Sequence, residues 1–273
     1  MALEQKDLRE ILETAMVAAR LAGQKAAEEI NFLKVSVKNN IELVTQADGK
    51  CQKIIIDCIK ENFPDHGFIA EEGENGKMFK LAPRSDEAIW WIIDPIDGTN
   101  NFAHKLPIYV VSIAAIYKNE PVVAVVFDPS TDSMFSAVKD LDAQLNDRRI
   151  QAGDQSIDKF ASIGMDSHFE NSLPQWVQAL ILRTRFRNLG TTALHLALVG
   201  SGAFIASIAA EPKLWDIAAG TLIAESAGAI VTDFKGQKIF PIDMESYNGE
   251  KIDIIAANKK VHQQLVDLIN SNI

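Results

Sequence analysis

Hydrophobic and polar positions along the chain change period several times, and each change predicts an element. Leu8, Ile11, Leu12, Ala15, Ala19 and Ala22 recur at helical spacing, which predicts a long first helix with one packed face and one solvated Glu/Lys face. Residues 35–45 read as extended, with Asn39-Asn40 at a turn tip, and residues 51–63 are amphipathic with Ile55, Cys58, Ile59 and Asn62 on one side. Phe68-Ile69-Ala70 is a short strand. Residues 88–93 carry no charge and stop abruptly at Asp94, the pattern of a strand buried on both faces whose carboxyl end opens into a site. Residues 108–117, 122–128 and 134–138 are β-rich, and Lys118-Asn119-Glu120-Pro121 is a hairpin signal, so an antiparallel meander is predicted. Residues 148–160 are polar and turn-rich. Beyond them, apolar runs at 161–165, 203–208, 229–232 and 252–256 alternate with helical stretches near 173–184, 192–200, 216–227 and 259–271. This predicts an α/β protein of two parts, an α+β lobe over residues 1–150 and an α/β lobe over 151–273, since 273 residues are many for a single core.

Composition narrows the function. A hydrophobic fraction of 47% and a charged fraction of 23% are those of an ordinary globule. A net charge of −10 argues against nucleic acid or an anionic membrane as the main partner, and an anionic substrate needs metal ions to enter. The first twelve residues, MALEQKDLREIL, are charged, and no uncharged stretch reaches about 18 residues, so neither export nor membrane spanning is indicated. Cys51 and Cys58 are the only cysteines; on one helix they stand about 10 Å apart, too far for a disulfide, which fits a reduced cytoplasm. The five histidines are scattered, which disfavours zinc. Gly200-Ser201-Gly202 lacks the third glycine of a dinucleotide fingerprint.

The candidate chemistry begins at Asp94. Pro95 cannot continue a ladder, Asp97-Gly98 is turn chemistry, and Thr99-Asn100-Asn101 suits a helix start, so two carboxylates fold toward one point. Two nearby carboxylates repel unless protonated or bridged, and a hard divalent ion bridges them most simply. Gly98 lets a ligand approach, and the N–H groups of Gly98 and Thr99 suit a phosphate. A plain Asp-Gly turn capped by Asp94 is the alternative. Four other acids have similar double readings. Asp48 closes a capping box with Thr45 or projects into the site; Glu71 and Glu72 follow a strand end or form a solvated acidic turn; Asp216 opens an apolar helix as N-cap or is aimed inward. Gly190-Thr191-Thr192 precedes another helix and could offer N–H groups to substrate oxygens, or be a simple βα turn.

Taken together, Asp94-Pro95-Ile96-Asp97-Gly98-Thr99, Glu71-Glu72 upstream, Trp215-Asp216-Ile217-Ala218-Ala219-Gly220 downstream and Val44-Thr45-Gln46-Ala47-Asp48 resemble the inositol monophosphatase family of magnesium-dependent phosphomonoesterases. The resemblance implies the layered αβαβα sandwich shared with fructose-1,6-bisphosphatase, Mg2+ as cofactor with two or three ions per site, lithium sensitivity and a homodimer. It implies Glu71, Asp94, Asp97, Asp216 and the Ile96 carbonyl as metal ligands, and Thr99 with Asp48 or Glu71 as the groups positioning a metal-activated water. It also places a lysine, Lys38, near the metals. The reaction expected is hydrolysis of a phosphate monoester on a small phosphorylated metabolite, with no phosphoenzyme, because no Ser-His-Asp order, reactive cysteine or P-loop appears. Two alternatives stand: a same-fold phosphatase for fructose 1,6-bisphosphate, a nucleotide bisphosphate or histidinol phosphate, and a binding or regulatory protein that retains the fold. The chain departs from the family seven residues before Asp216, where a glutamate usually meets the inositol hydroxyls and Ala209 stands here; Glu211 is the candidate substitute, since residues two apart on a strand share a face. Selectivity for inositol phosphates is therefore expected to be weak.

Overall fold

The computed structural model describes residues 3–32, 35–38, 42–85, 89–165 and 173–271, with side chains except at 35–38, 42–44 and 75. In chain order the elements are α1 (Gln5–Glu29), β1 (Val35–Lys38), β2 (Glu42–Thr45), α2 (Gln46–Asn62), β3 (Gly67–Ala70), β4 (Phe79–Leu81), β5 (Trp90–Asp97) and α3 (Thr99–Ala103). There follow β6 (Val110–Tyr117), β7 (Glu120–Asp128), β8 (Ser133–Val138), β9 (Gln144–Leu145) and β10 (Arg148–Arg149). The remainder comprises β11 (Ser162–Met165), α4 (Gln175–Arg183), β12 (Arg185–Arg187), α5 (Thr192–Gly200), β13 (Ala206–Ala209), α6 (Leu214–Ser226), β14 (Ile230–Thr232), β15 (Ile254–Ala257) and α7 (His262–Asn270).

Two sheets organise these elements. An eight-stranded sheet has the order β10-β9-β8-β7-β6-β5-β3-β4, and a five-stranded sheet the order β12-β11-β13-β15-β14. The meander is extended on one side by β3, which runs parallel to β5. The small sheet is mixed: β11 is parallel to β12 and β13, whereas β15 is antiparallel to β13 and β14.

The layers follow from which face each strand residue buries. Trp91, Ile93 and Val111 pack with the apolar faces of α1 and α2, whereas Ile92, Val110 and Ala114 pack with Ala193, Trp215 and Leu222 of α5 and α6. The other sides of α5 and α6, through Leu196, Val199, Ile217 and Ala224, meet Ile254, Ala256 and Val231 of the small sheet, whose outer face is covered by α4 and α7. The result is an αβαβα sandwich, and being apolar nearly all round is what α5 and α6 need as its middle layer. Small residues set the spacing. A side chain at Gly220 would stand 2.5 Å from Leu196 Cβ, and one at Gly23 of α1 would stand 2.7 Å from the Phe127 ring. Cys51 and Cys58 are both free on α2. Among the described residues no helix is long and apolar enough to cross a membrane.

Six elements differ from the sequence reading. Strand β5 does not stop at Ile93 but continues through Pro95 to Asp97, with one extra residue between the pairs Asp94↔Ser112 and Asp97↔Val110. Pro95 contributes no donor, and the bulge absorbs that loss without ending the strand. Helix α6 starts two residues before Asp216, which occupies its third position. The short strands β4, β9, β10 and β12 carry no alternation that a sequence pattern would reveal. The turn tip Asn39-Asn40, Ala88 and the Lys38 side chain lie outside the described residues.

Candidate metal centre

Strand parity brings the acids together. Asp94 follows Ile92 by two and so lies on the α6 face of the large sheet; by alternation Ile96 would share that face and Asp97 would not. The bulge reverses this. Ile96 packs with the α1/α2 layer, and Asp97 turns toward α5. Parallel pairing of β3 with β5 ends with Ala70 beside Ile93, and the Glu71 N–H donates to the Ile93 carbonyl at 3.2 Å, which sets Glu71 next to Asp94. From the middle layer, Asp216 sits in the first turn of α6, its carboxylate accepting from Lys213 N at 2.6 Å.

Carboxylate oxygens of Asp94, Asp97 and Asp216 lie within 4.8 Å of one another. Asp94 is 2% exposed, and its proton affinity is pushed well up, first by burial and then by Glu71, Asp97, Asp216 and Asp48. Its Oδ1 accepts only from Ile96 N, at 3.0 Å, among the hydrogen bonds described. Asp97 is raised to about 6 by burial, against the opposing pull of donors from Thr191, Ala193 and Thr192. Hard oxygen donors crowded at this distance, two of them buried, fit a divalent cation of the Mg2+ type, which would relieve the repulsion among them.

Beside this triad stands a second constellation. Asp48 is fully buried at the start of α2; its Oδ2 accepts from Thr45 N at 2.9 Å and Thr45 Oγ at 2.6 Å. The capping box engages Oδ2, while Oδ1 lies 3.2 Å from Thr99 Oγ, itself 3.0 Å from the Ile96 carbonyl. Burial raises the Asp48 pKa, and the Thr45 bonds hold it back. Gly98 has φ +102°, and a Cβ there would stand 3.0 Å from Ile108 O, so this turn requires glycine.

Not every expected residue performs as the sequence suggested. The 190–192 turn was expected to show its N–H groups to substrate; instead Thr191 Oγ and Ala193 N donate to Asp97 Oδ2 at 2.5 and 2.7 Å, with Thr192 N as a further donor. Gly190 N donates to Asn188 Oδ1. The donors of this turn that the structure describes on an anion are thus turned to Asp97. Glu211 does not share a face with Ala209: β13 ends at Ala209, Glu211 adopts φ +64°, and its carboxylate pairs with Lys251. Ala209 itself is packed among Leu196, Ile217 and Ile254. Glu72 is held through its backbone, its N–H and carbonyl both bonded to the Gln52 carboxamide. Gln52, Asn101 and His195 were not anticipated; the one signal was a buried polar side chain on an otherwise apolar helix face, as at Gln52 and His195.

The profile of the inositol monophosphatase family matches residues 7–273. The chain is 35% identical over 237 residues to a protein named Nus factor SuhB of Vibrio cholerae, covering 83% of this chain and 86% of that one. It is 34% identical over 235 residues to an inositol-1-monophosphatase of Rhizobium meliloti, with the same coverage. The solved structure of an IMPase from Thermotoga maritima superposes with a TM-score of 0.83 at 30% identity, covering 96% of this chain and 97% of that one. On sequence, layer order and overall superposition alike, the chain belongs to the inositol monophosphatase family.

Proposed function

We propose that the protein is a Mg2+-dependent phosphatase of small phosphate monoesters. The observation that carries this reading is the convergence of Asp94, Asp97 and Asp216 at one point. An IMPase/NADP phosphatase of the same fold, 25% identical with a TM-score of 0.81, is complexed with Mg2+ and phosphate, which supports the ion. Glu71, Asp94, Asp97, Asp216 and the Ile96 carbonyl are the groups that hold it. Mg2+ there supplies a Lewis acid for the phosphate oxygens and the attacking water. Thr99 carries one hydroxyl proton between two acceptors, Asp48 Oδ1 and Ile96 O. Donating to Asp48 frees the Ile96 carbonyl and leaves the Thr99 oxygen to accept a proton from water. Asp48, pinned by Thr45, takes the relayed proton. The N–H groups of Gly98 and Thr99 face the phosphate, and Lys38 belongs to the same reading. A homodimer rests on the resemblance alone, and a cytoplasmic location on the two free cysteines.

Substrate selectivity is broad in this reading, because Ala209 offers no acceptor to a polyol and Glu211 is turned to Lys251. The alternatives for fructose 1,6-bisphosphate, nucleotide bisphosphates and histidinol phosphate enter the same screen. A second reading, a binding or regulatory protein, is favoured by relatives named Nus factor SuhB. One experiment separates the two: phosphate release from a panel of some tens of phosphorylated metabolites with Mg2+, with EDTA and with Mg2+ restored. Release that needs Mg2+ supports the phosphatase; no release from any ester, or full release in EDTA, refutes it.

A further inference from the structure

Beside the acids, the turn at 188–193 is held in an unusual way. Both backbone polar groups of Leu189 are bonded to side chains: its N–H donates to His195 Nε2 at 2.9 Å, and its carbonyl accepts from Asn101 Nδ2 at 2.7 Å. The same Asn101 nitrogen donates to Ile108 O at 2.8 Å, so one carboxamide ties the loop after β5 to the loop before α5. Gly190 follows with φ +70°, and a Cβ there would stand 2.7 Å from Asn101 Nδ2. Gly98 lies on the other side, where a Cβ would stand 3.4 Å from Gly190 O.

His195 contributes an acceptor at a cost. Burial lowers its pKa to about 4, so the ring is neutral at physiological pH, and with Nε2 accepting, the proton sits on Nδ1. That Nδ1 has no hydrogen-bond partner among the described residues. A fully buried ring that leaves one donor unsatisfied is retained for what its other nitrogen does.

We infer that Asn101 and His195 are positioning residues of the metal centre: by holding the N–H and carbonyl of Leu189, they fix the turn whose Thr191, Thr192 and Ala193 donors orient Asp97. The inference rests on the proposed phosphatase reading for its functional consequence, but its structural content stands without turnover. It makes a chemical prediction that a space-filling role does not. Asn101→Asp keeps the shape and replaces the donating nitrogen with an oxygen facing two carbonyl oxygens, whereas Asn101→Ala leaves room for water. If volume mattered, alanine would be the worse variant; if donation matters, aspartate is.

The test is hydrogen–deuterium exchange of peptides covering residues 186–196, with Mg2+ affinity measured by calorimetry on the same proteins. Asn101→Asp is expected to speed exchange in this segment and weaken Mg2+ binding by about tenfold or more, and Asn101→Ala by less. His195→Leu is expected to lose protection of the Leu189 amide, while His195→Gln, whose Oε1 replaces Nε2 as acceptor, restores most of it. Alanine at 101 as damaging as aspartate, unchanged exchange in both, or glutamine at 195 as damaging as leucine would overturn the inference. Should Asn101→Asp not fold, the His195 pair decides. A wild-type protein that releases no phosphate, yet shows this order of exchange, refutes the phosphatase reading and leaves the positioning role standing.

Discussion

Replacing Asp94 by asparagine is expected to make the metal-free protein more stable and the enzyme nearly inactive. The side chain keeps its shape, and the asparagine Oδ1 still accepts from Ile96 N. What disappears is one charge among carboxylates no farther than 4.8 Å apart. At that separation and an effective dielectric constant of 20, each ionised pair repels by about 3.5 kcal/mol. Partial protonation already relieves some of this, so a net gain of about 2 kcal/mol is the working figure, or a Tm rise of about 4 to 8 °C for a chain this long. The pH dependence has a definite sign. Asp94 and Asp97 hold protons in the folded state that the unfolded chain has released, so wild-type stability falls as pH rises, for Asp97 between about 4 and about 6. The stability advantage of Asp94→Asn in EDTA is therefore largest near pH 8 and shrinks toward pH 5. With saturating Mg2+ the order inverts, because only the wild type gains from the ion. Turnover falls by roughly 10² to 10³. Scanning calorimetry with EDTA and with Mg2+, together with phosphate release, checks each part. A variant less stable than wild type in EDTA at pH 8, or one retaining more than a tenth of wild-type turnover, refutes the reasoning.

Other substitutions probe the surroundings of the triad. Thr191→Val removes the hydroxyl donor to Asp97 and the cap of α5, and is expected to cost about 1 to 3 kcal/mol in denaturant unfolding; it also moves the acid limb of the activity profile to higher pH, because Asp97 then holds its proton more tightly. Gly98→Ala places a Cβ 3.0 Å from Ile108 O at φ +102°, so a loss of about 1 kcal/mol or more with at least tenfold lower activity is expected, measured by thermal unfolding and kinetics. Wild-type kcat/KM for inositol monophosphate is expected to exceed that for glycerol 2-phosphate by less than about a hundredfold, some 2.7 kcal/mol; a larger ratio would mean that another group reads the ring hydroxyls.

The acids were legible because their spacing is local. Asp94, Asp97 and Gly98 sit in six consecutive residues, and Asp216 opens an apolar run, so the motif itself carries the information. Strands and helices with long runs were legible for the same reason, as with α1, β6 and β7. What escaped depends on contacts between distant segments. Asn101 bonds Leu189, 88 positions away, and nothing near Asn101 announces it. The 190–192 turn was assigned to substrate because a helix start attracts anions in general; which anion arrives first, here Asp97, is decided by tertiary packing. Glu211 was paired with Ala209 on the assumption of a continuing strand, and a single left-handed residue removed that relation. Strand β12 has three residues at an edge, too few to show a period.

The extra residue in β5 makes the centre intolerant of insertion. Asp94 and Asp97 reach one face only because their separation is odd and the bulge consumes one position. Deleting a single residue between them would restore regular alternation and leave the second carboxylate on that face, still opposite Val110. Inserting one would turn it toward the apolar layer that holds Ile96, Phe102 and Tyr109. Along this strand, then, a one-residue insertion costs more than a one-residue deletion: a descendant with an extra residue here would carry every aspartate and still present only one of the pair to that face.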